Sequence, residues 1–118
     1  MSQLARERCQ SCTKDTPTLT GAAAEELLSE LAPDWQIEAG VLRRSLTFPS
    51  FAAAFTLATR VALLAEREAH HPDLRVGWGY LTVELTTHTA GGLTRNDFIL
   101  AAKVDRAAGA GAPTPKDG

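Results

Sequence analysis

A chain of 118 residues, 44% hydrophobic and 22% charged, has the proportions of one globular domain and is long enough to bury roughly two-thirds of its unfolded surface. Its formal net charge of −2 and pI near 5.9, with basic residues scattered along the chain, offer no electrostatic handle to nucleic acid or an anionic membrane. No stretch approaches the roughly 20 apolar residues of a membrane span, and the opening MSQLARER lacks the apolar run of a signal peptide, so a cytoplasmic location is expected.

Residues 1–17 are polar and read as a flexible arm, residues 18–106 as the folded domain, and the Ala/Gly/Pro-rich 107–118 as a disordered tail. The arm carries the only cysteines, Cys9 and Cys12 in CQSC. A lone CxxC outside a βαβ context reads as a reduced thiol pair, with a metal shared with another chain as the alternative. Thr20 is placed to cap a helix running through EELLSEL to Pro33, with Leu27, Leu28 and Leu31 as its buried stripe. Trp35, Ile37 and Ala39, then Leu42, Leu46 and Phe48, alternate as two strands joined at Gly40. From Ser50 to about His70 the chain has no Gly or Pro. Phe51, Phe55, Ala58, Ala62 and Ala65 recur there at helical spacing beside Leu57, Val61 and Leu64, a broad apolar face suited to the centre of the fold.

Pro72 disfavours the α conformation at His71, so this second helix ends at the histidine pair. DLRV and YLTVELTTH then supply two more strands around Gly77–Trp78–Gly79, with Leu81, Val83 and Leu85 inward. After Gly91–Gly92, Thr94 and Asp97 have capping-box spacing ahead of a third helix. The order αββαββα predicts an α+β fold, a four-stranded antiparallel sheet with three helices packed on one face.

All three histidines of the chain, His70, His71 and His88, fall within one short stretch. Singly, each has a structural use: a helix end favours imidazolium, and a strand can leave its histidine solvated. Jointly, they can converge, because the hairpin of 73–88 carries the chain out and back to His88. Strand parity sets His88 opposite Leu81, Val83 and Leu85, which puts a shared pocket either at a sheet end or on the face away from the helices; the strand end, where twist re-aims side chains, is expected. Glu66 and His70 are four apart, the spacing at which a carboxylate orients an imidazole on one helical face. A three-histidine zinc site would activate water, but adjacent helix-end histidines diverge, whereas metal pairs sit at i and i+4 or alternate along a strand. No metal is expected. Imidazoles without metal suit proton transfer in both directions, which favours dehydration, hydration or isomerisation.

Together, Glu66, His70–His71–Pro72, Trp78, His88 and Asp97 resemble the signature of the pterin-4a-carbinolamine dehydratase family. The similarity runs from about Leu19 to Asp105 and takes in DW, the strand ending in Phe48, the alanine-rich second helix and GGLTRNDFILAAKVD; the CQSC arm is similar to that of bacterial members. The resemblance implies a hydro-lyase that converts 4a-hydroxytetrahydropterin to quinonoid dihydropterin, recycling a tetrahydrobiopterin-type cofactor after an aromatic amino-acid hydroxylase. No metal or organic cofactor is implied. His70 and His88 would be the proton-transfer pair and His71 a pterin-positioning residue able to share the acid role. Glu66 would orient His70, and Pro72, Thr87, Trp78 and Asp97 would lie on the substrate side. On the residues alone, Trp78 also reads as a turn-packing aromatic, and Asp97 either as a helix cap or as a group that orients a catalytic histidine. The partners implied are a small pterin and further copies of the chain, as a dimer or tetramer. The same family contains members that act by protein contact, as a transcription cofactor or in RuBisCO assembly. Such an interaction module is the alternative, marked by loss of the histidine set that this chain keeps.

Overall fold

The computed structural model describes residues 3–109. A short 3₁₀ turn at Leu4–Arg6 is followed by α1 (Gly21–Leu28), β1 (Gln36–Glu38), β2 (Val41–Thr47), α2 (Phe51–Glu68), β3 (Asp73–Gly77), β4 (Tyr80–Leu85) and α3 (Arg95–Gly109). The strands form one antiparallel sheet in the order β1-β2-β4-β3 with the helices on one face, as the element order predicts. Leu42, Leu81, Val83 and Leu85 on the inner face are fully buried, against Leu57 and Val61 of α2 and Phe98, Leu100 and Val104 of α3.

Thr20 and Ser50 cap α1 and α2, their hydroxyls accepting from Ala23 N and Ala53 N, both at 3.1 Å. Helix α1 stops at Leu28, before the predicted Pro33, because the Ser29 hydroxyl turns back onto Glu26 O at 2.6 Å and the next amides tighten into i→i−3 bonds. Ala39 and Gly40 both have positive φ, the condition of a primed hairpin turn, so Ala39 sits exposed in the turn instead of continuing β1 inward. The broad apolar face of α2 divides. Ala54, Leu57, Val61 and Ala65 are buried, while Phe51, Phe55 and Leu63 remain exposed on a separate stripe, the two rings stacked at 6.0 Å.

Two expectations for the chain ends need correction. The arm that composition reads as flexible is docked against α3, with Leu4 only 1% exposed in the core and Lys103 Nζ donating to Ala5 O at 2.8 Å. Helix α3 continues to Gly109 with Ala107 and Ala108 packed on the core, where a disordered segment was expected; the rest of that expectation, 110–118, lies outside the described residues.

Candidate active site

The site is built where α2 ends. Ala69 adopts a left-handed conformation (φ 53°) and His70 N bonds back to Ala65 O at 3.2 Å, a Schellman cap with alanine at the position usually held by glycine. The cap reverses the chain, Pro72 forbids its return to helix, and β3 leaves the helix end for the far edge of the sheet. The β3–β4 hairpin then brings Thr86, Thr87 and His88 back beside the cap. His70, His71 and His88 consequently line one cleft of about 330 Å³, together with Thr86 and Thr87. The convergence expected from the sequence is met, and at the strand end. His88 is exposed and its imidazole makes no hydrogen bond among the described residues.

The two adjacent histidines have different carboxylate partners. His70 Nε2 lies 2.6 Å from Asp97 Oδ1, with the side chains 11% and 0% exposed. The second oxygen of Asp97 accepts from Thr87 Oγ1 at 2.8 Å and Thr94 N at 2.9 Å, and the two threonine hydroxyls meet at 2.9 Å. The predicted capping box is therefore half formed. Asp97 takes the Thr94 amide as a box residue should, but the Thr94 hydroxyl turns to Thr87 and not to the helix. A carboxylate only accepts, so it holds the proton of His70 on Nε2 and leaves the lone pair on Nδ1.

His71 Nε2 lies 2.7 Å from Glu66 Oε2, both exposed at the rim. This corrects the expectation that Glu66 orients His70: the left-handed residue breaks the i, i+4 face, and the chain beyond it folds back so that His71 takes the carboxylate. Three further expectations change. Trp78 is 75% exposed at the opposite end of the hairpin, about 20 Å away at strand rise, and does not reach the cleft. Pro72 shapes the turn without lining the cleft. Thr87 is buried and holds Asp97 with its hydroxyl.

Sequence reasoning missed the other wall. Cys9, Gln10, Ser11 and Cys12 line the cleft with Glu68 and Asn96. Glu68 is 6% exposed and continues the Val61, Ala65 stripe of α2, so a charge in a buried register was the signal available. Burial pushes its carboxyl up. The Cys9 N–H at 2.9 Å, the Lys103 ammonium and the Arg8 guanidinium outweigh that and hold it below the usual carboxylate value. Burial, and then the Glu68 charge, push the Cys9 thiol up to about 12, far from the low value of a reactive cysteine. Among the described residues no group of three or more His, Cys, Asp or Glu side chains is arranged to hold a metal ion, and no helix is long and apolar enough to cross a membrane.

Comparison with known proteins places the chain in a family. The family model for pterin 4 alpha carbinolamine dehydratase matches residues 17–107. Proteins provisionally named pterin-4-alpha-carbinolamine dehydratase from Rickettsia canadensis and Chlorobium limicola are 42% and 46% identical, covering 89% and 87% of this chain and 97% and 94% of theirs. The crystal structure of a transcriptional coactivator/pterin dehydratase from Brucella melitensis superposes with a TM-score of 0.73 at 32% identity, over 78% of this chain and 99% of that one. A pterin dehydratase-like RuBisCO assembly factor of the alpha-carboxysome superposes with a TM-score of 0.53 at 28% identity, over 64% and 87%.

Proposed function

Since the chain belongs to the pterin-4-alpha-carbinolamine dehydratase family, we propose that it dehydrates a 4a-hydroxytetrahydropterin to the quinonoid dihydropterin, with His70 as the principal proton-transfer group. The observation that carries this is the His70–Asp97 pair, buried at the wall of a cleft that the other two histidines share. In the reaction the C4a–O bond breaks and the hydroxyl leaves as water with an added proton. N5 gives up its proton, and that electron pair becomes the C4a=N5 bond. The ring nitrogen drives the expulsion, so the protein has only to bind, orient and move protons.

His70 Nδ1 takes the N5 proton, and the imidazolium formed is stabilised by the buried Asp97 carboxylate, as in other carboxylate–histidine pairs. His88, whose ring makes no hydrogen bond among the described residues, protonates the departing hydroxyl. His71, backed by Glu66 at the rim, positions the pterin. Asp97, Thr87 and Thr94 act through His70 as positioning residues. A cleft of about 330 Å³ is of small-ligand size. The setting we propose is cytoplasmic recycling of a tetrahydrobiopterin-type cofactor beside an aromatic amino-acid hydroxylase, with no cofactor of the protein's own.

The exposed stripe of Phe51, Phe55 and Leu63 on α2 supports a homo-oligomer, which light scattering of the wild type and Phe55→Glu tests. It also favours the second reading, a protein-contact module. The deciding assay is dehydration of freshly made 4a-hydroxytetrahydropterin by wild type, His70→Ala and His88→Ala, each verified as folded. The variants should fall by about 10²-fold or more. Equal rates in all three would remove the enzymatic role and leave protein contact.

A further inference from the structure

The CQSC segment precedes the residues matched by the family model, yet it forms a wall of the cleft. Building on the pterin activity above, we propose that residues 9–12 are a substrate-positioning wall, clamped onto the site by Asn96 and Glu68. Asn96 is 5% exposed and spends its whole carboxamide on the arm. Its Oδ1 accepts from Gln10 N at 2.9 Å, and its Nδ2 donates to Gln10 O at 2.7 Å and to Cys12 Sγ at 3.1 Å. The reciprocal pair grips the N–H and the C=O of one residue, Gln10, and fixes the arm in a single register. One residue earlier, Glu68 accepts from Cys9 N at 2.9 Å, and Cys9 Sγ donates to Asn96 O at 3.6 Å.

A carboxylate and a carboxamide buried at this corner would be left without these partners if the arm withdrew, a costly state, so the arm stays seated. The CxxC spacing thereby acquires a role that needs neither metal nor redox chemistry. Cys9 donates to the backbone of Asn96 and Cys12 accepts from its side chain, one cysteine on either side of Gln10 in the chain. Between them Ser11 is exposed at the cleft surface. None of the arm's groups has the acid/base character of an imidazole. The arm therefore determines how a bicyclic heterocycle is held and leaves proton transfer to the histidines.

The test is steady-state dehydration of 4a-hydroxytetrahydropterin by wild type, Ser11→Trp and Lys14→Trp, the last at an exposed arm residue outside the cleft lining. Ser11→Trp is expected to raise KM about tenfold or more while kcat falls less than about threefold, and Lys14→Trp to match wild type. Asn96→Ala should likewise raise KM, and should speed the reaction of Cys9 with a disulfide reagent such as dithiobis(nitrobenzoate); if it does not fold, Ser11→Trp decides alone. An active wild type with KM unchanged in Ser11→Trp overturns the arm proposal only. A wild type without turnover overturns the pterin activity, and the arm proposal with it.

Discussion

His70 and His71 are neighbours in sequence and both face a carboxylate at nearly the same distance, 2.6 and 2.7 Å, yet the two pairs are physically different objects. At His70 the carboxylate is fully buried and its remaining lone pairs are filled by Thr87 and Thr94, so the ring is fixed in tautomer and direction. At His71 both partners are exposed, water competes for each, and the pair is one geometry among several. What separates them is the left-handed residue between helix and pair, which turns one imidazole inward and sends the next to the rim. In the reaction proposed above, burial of the carboxylate, and not its presence, is what would set a proton-transfer group apart from a positioning one.

The comparison can be broken most forcefully at Asp97. Asp97→Ala strips buried partners from His70, Thr87 and the Thr94 amide, and is expected to cost about 2–4 kcal/mol of stability and about 10²-fold in kcat, measured by urea denaturation and by turnover. A variant of wild-type stability and rate would make the two pairs equivalent. Next is the pH dependence of the corner beside His70. The Glu68 carboxyl lies below its ordinary 4.5 in the fold, so its contribution is complete above that value and disappears as pH falls through the lower folded value. Cys9 is pushed from 9.0 to about 12, so its contribution is complete below 9.0 and is lost as pH rises toward 12. Melting temperature against pH should therefore fall at both ends, and Glu68→Gln should flatten the acid limb.

At the exposed pair, Glu66→Gln should change stability by no more than about 0.5 kcal/mol and act on KM before kcat. A kcat loss as large as that of Asp97→Ala would promote Glu66 to the role the sequence first suggested. The hinge between the pairs bears on stability alone. Ala69→Gly relieves a left-handed alanine at some cost in unfolded-state entropy, and should raise stability by up to about 1 kcal/mol in a denaturation titration.

The elements were legible because their periodicities are strong and their ends are punctuated: Ser50 caps α2, Pro72 ends it, and glycines mark the hairpins. The meeting of the three histidines was legible for the same reason, since a helix end and a hairpin of known length leave few places for His88. The carboxylate partners were legible only in part: Asp97 stood open between a helix cap and a group orienting a histidine, and which histidine it meets was not readable. Asp97 reaches His70 across 27 positions, beyond any local rule, and the i, i+4 rule that paired Glu66 with His70 fails once the chain leaves the helix. The arm was hidden by its polar composition: it is held through backbone amides to Glu68 and Asn96, and a backbone donor carries no sequence signal. Trp78 shows the reverse error, a conspicuous residue whose position at the tip of a hairpin removes it from the cleft.

The most direct test of the carboxylate-backed imidazole is the pair of rate constants for His70→Ala and His71→Ala on 4a-hydroxytetrahydropterin, each protein verified as folded. The expected result is a kcat about 10²-fold or more below wild type for His70→Ala, and for His71→Ala a raised KM with kcat within about tenfold of wild type. Equal losses of kcat in the two variants, or a His70→Ala protein that turns over as wild type does, would contradict it.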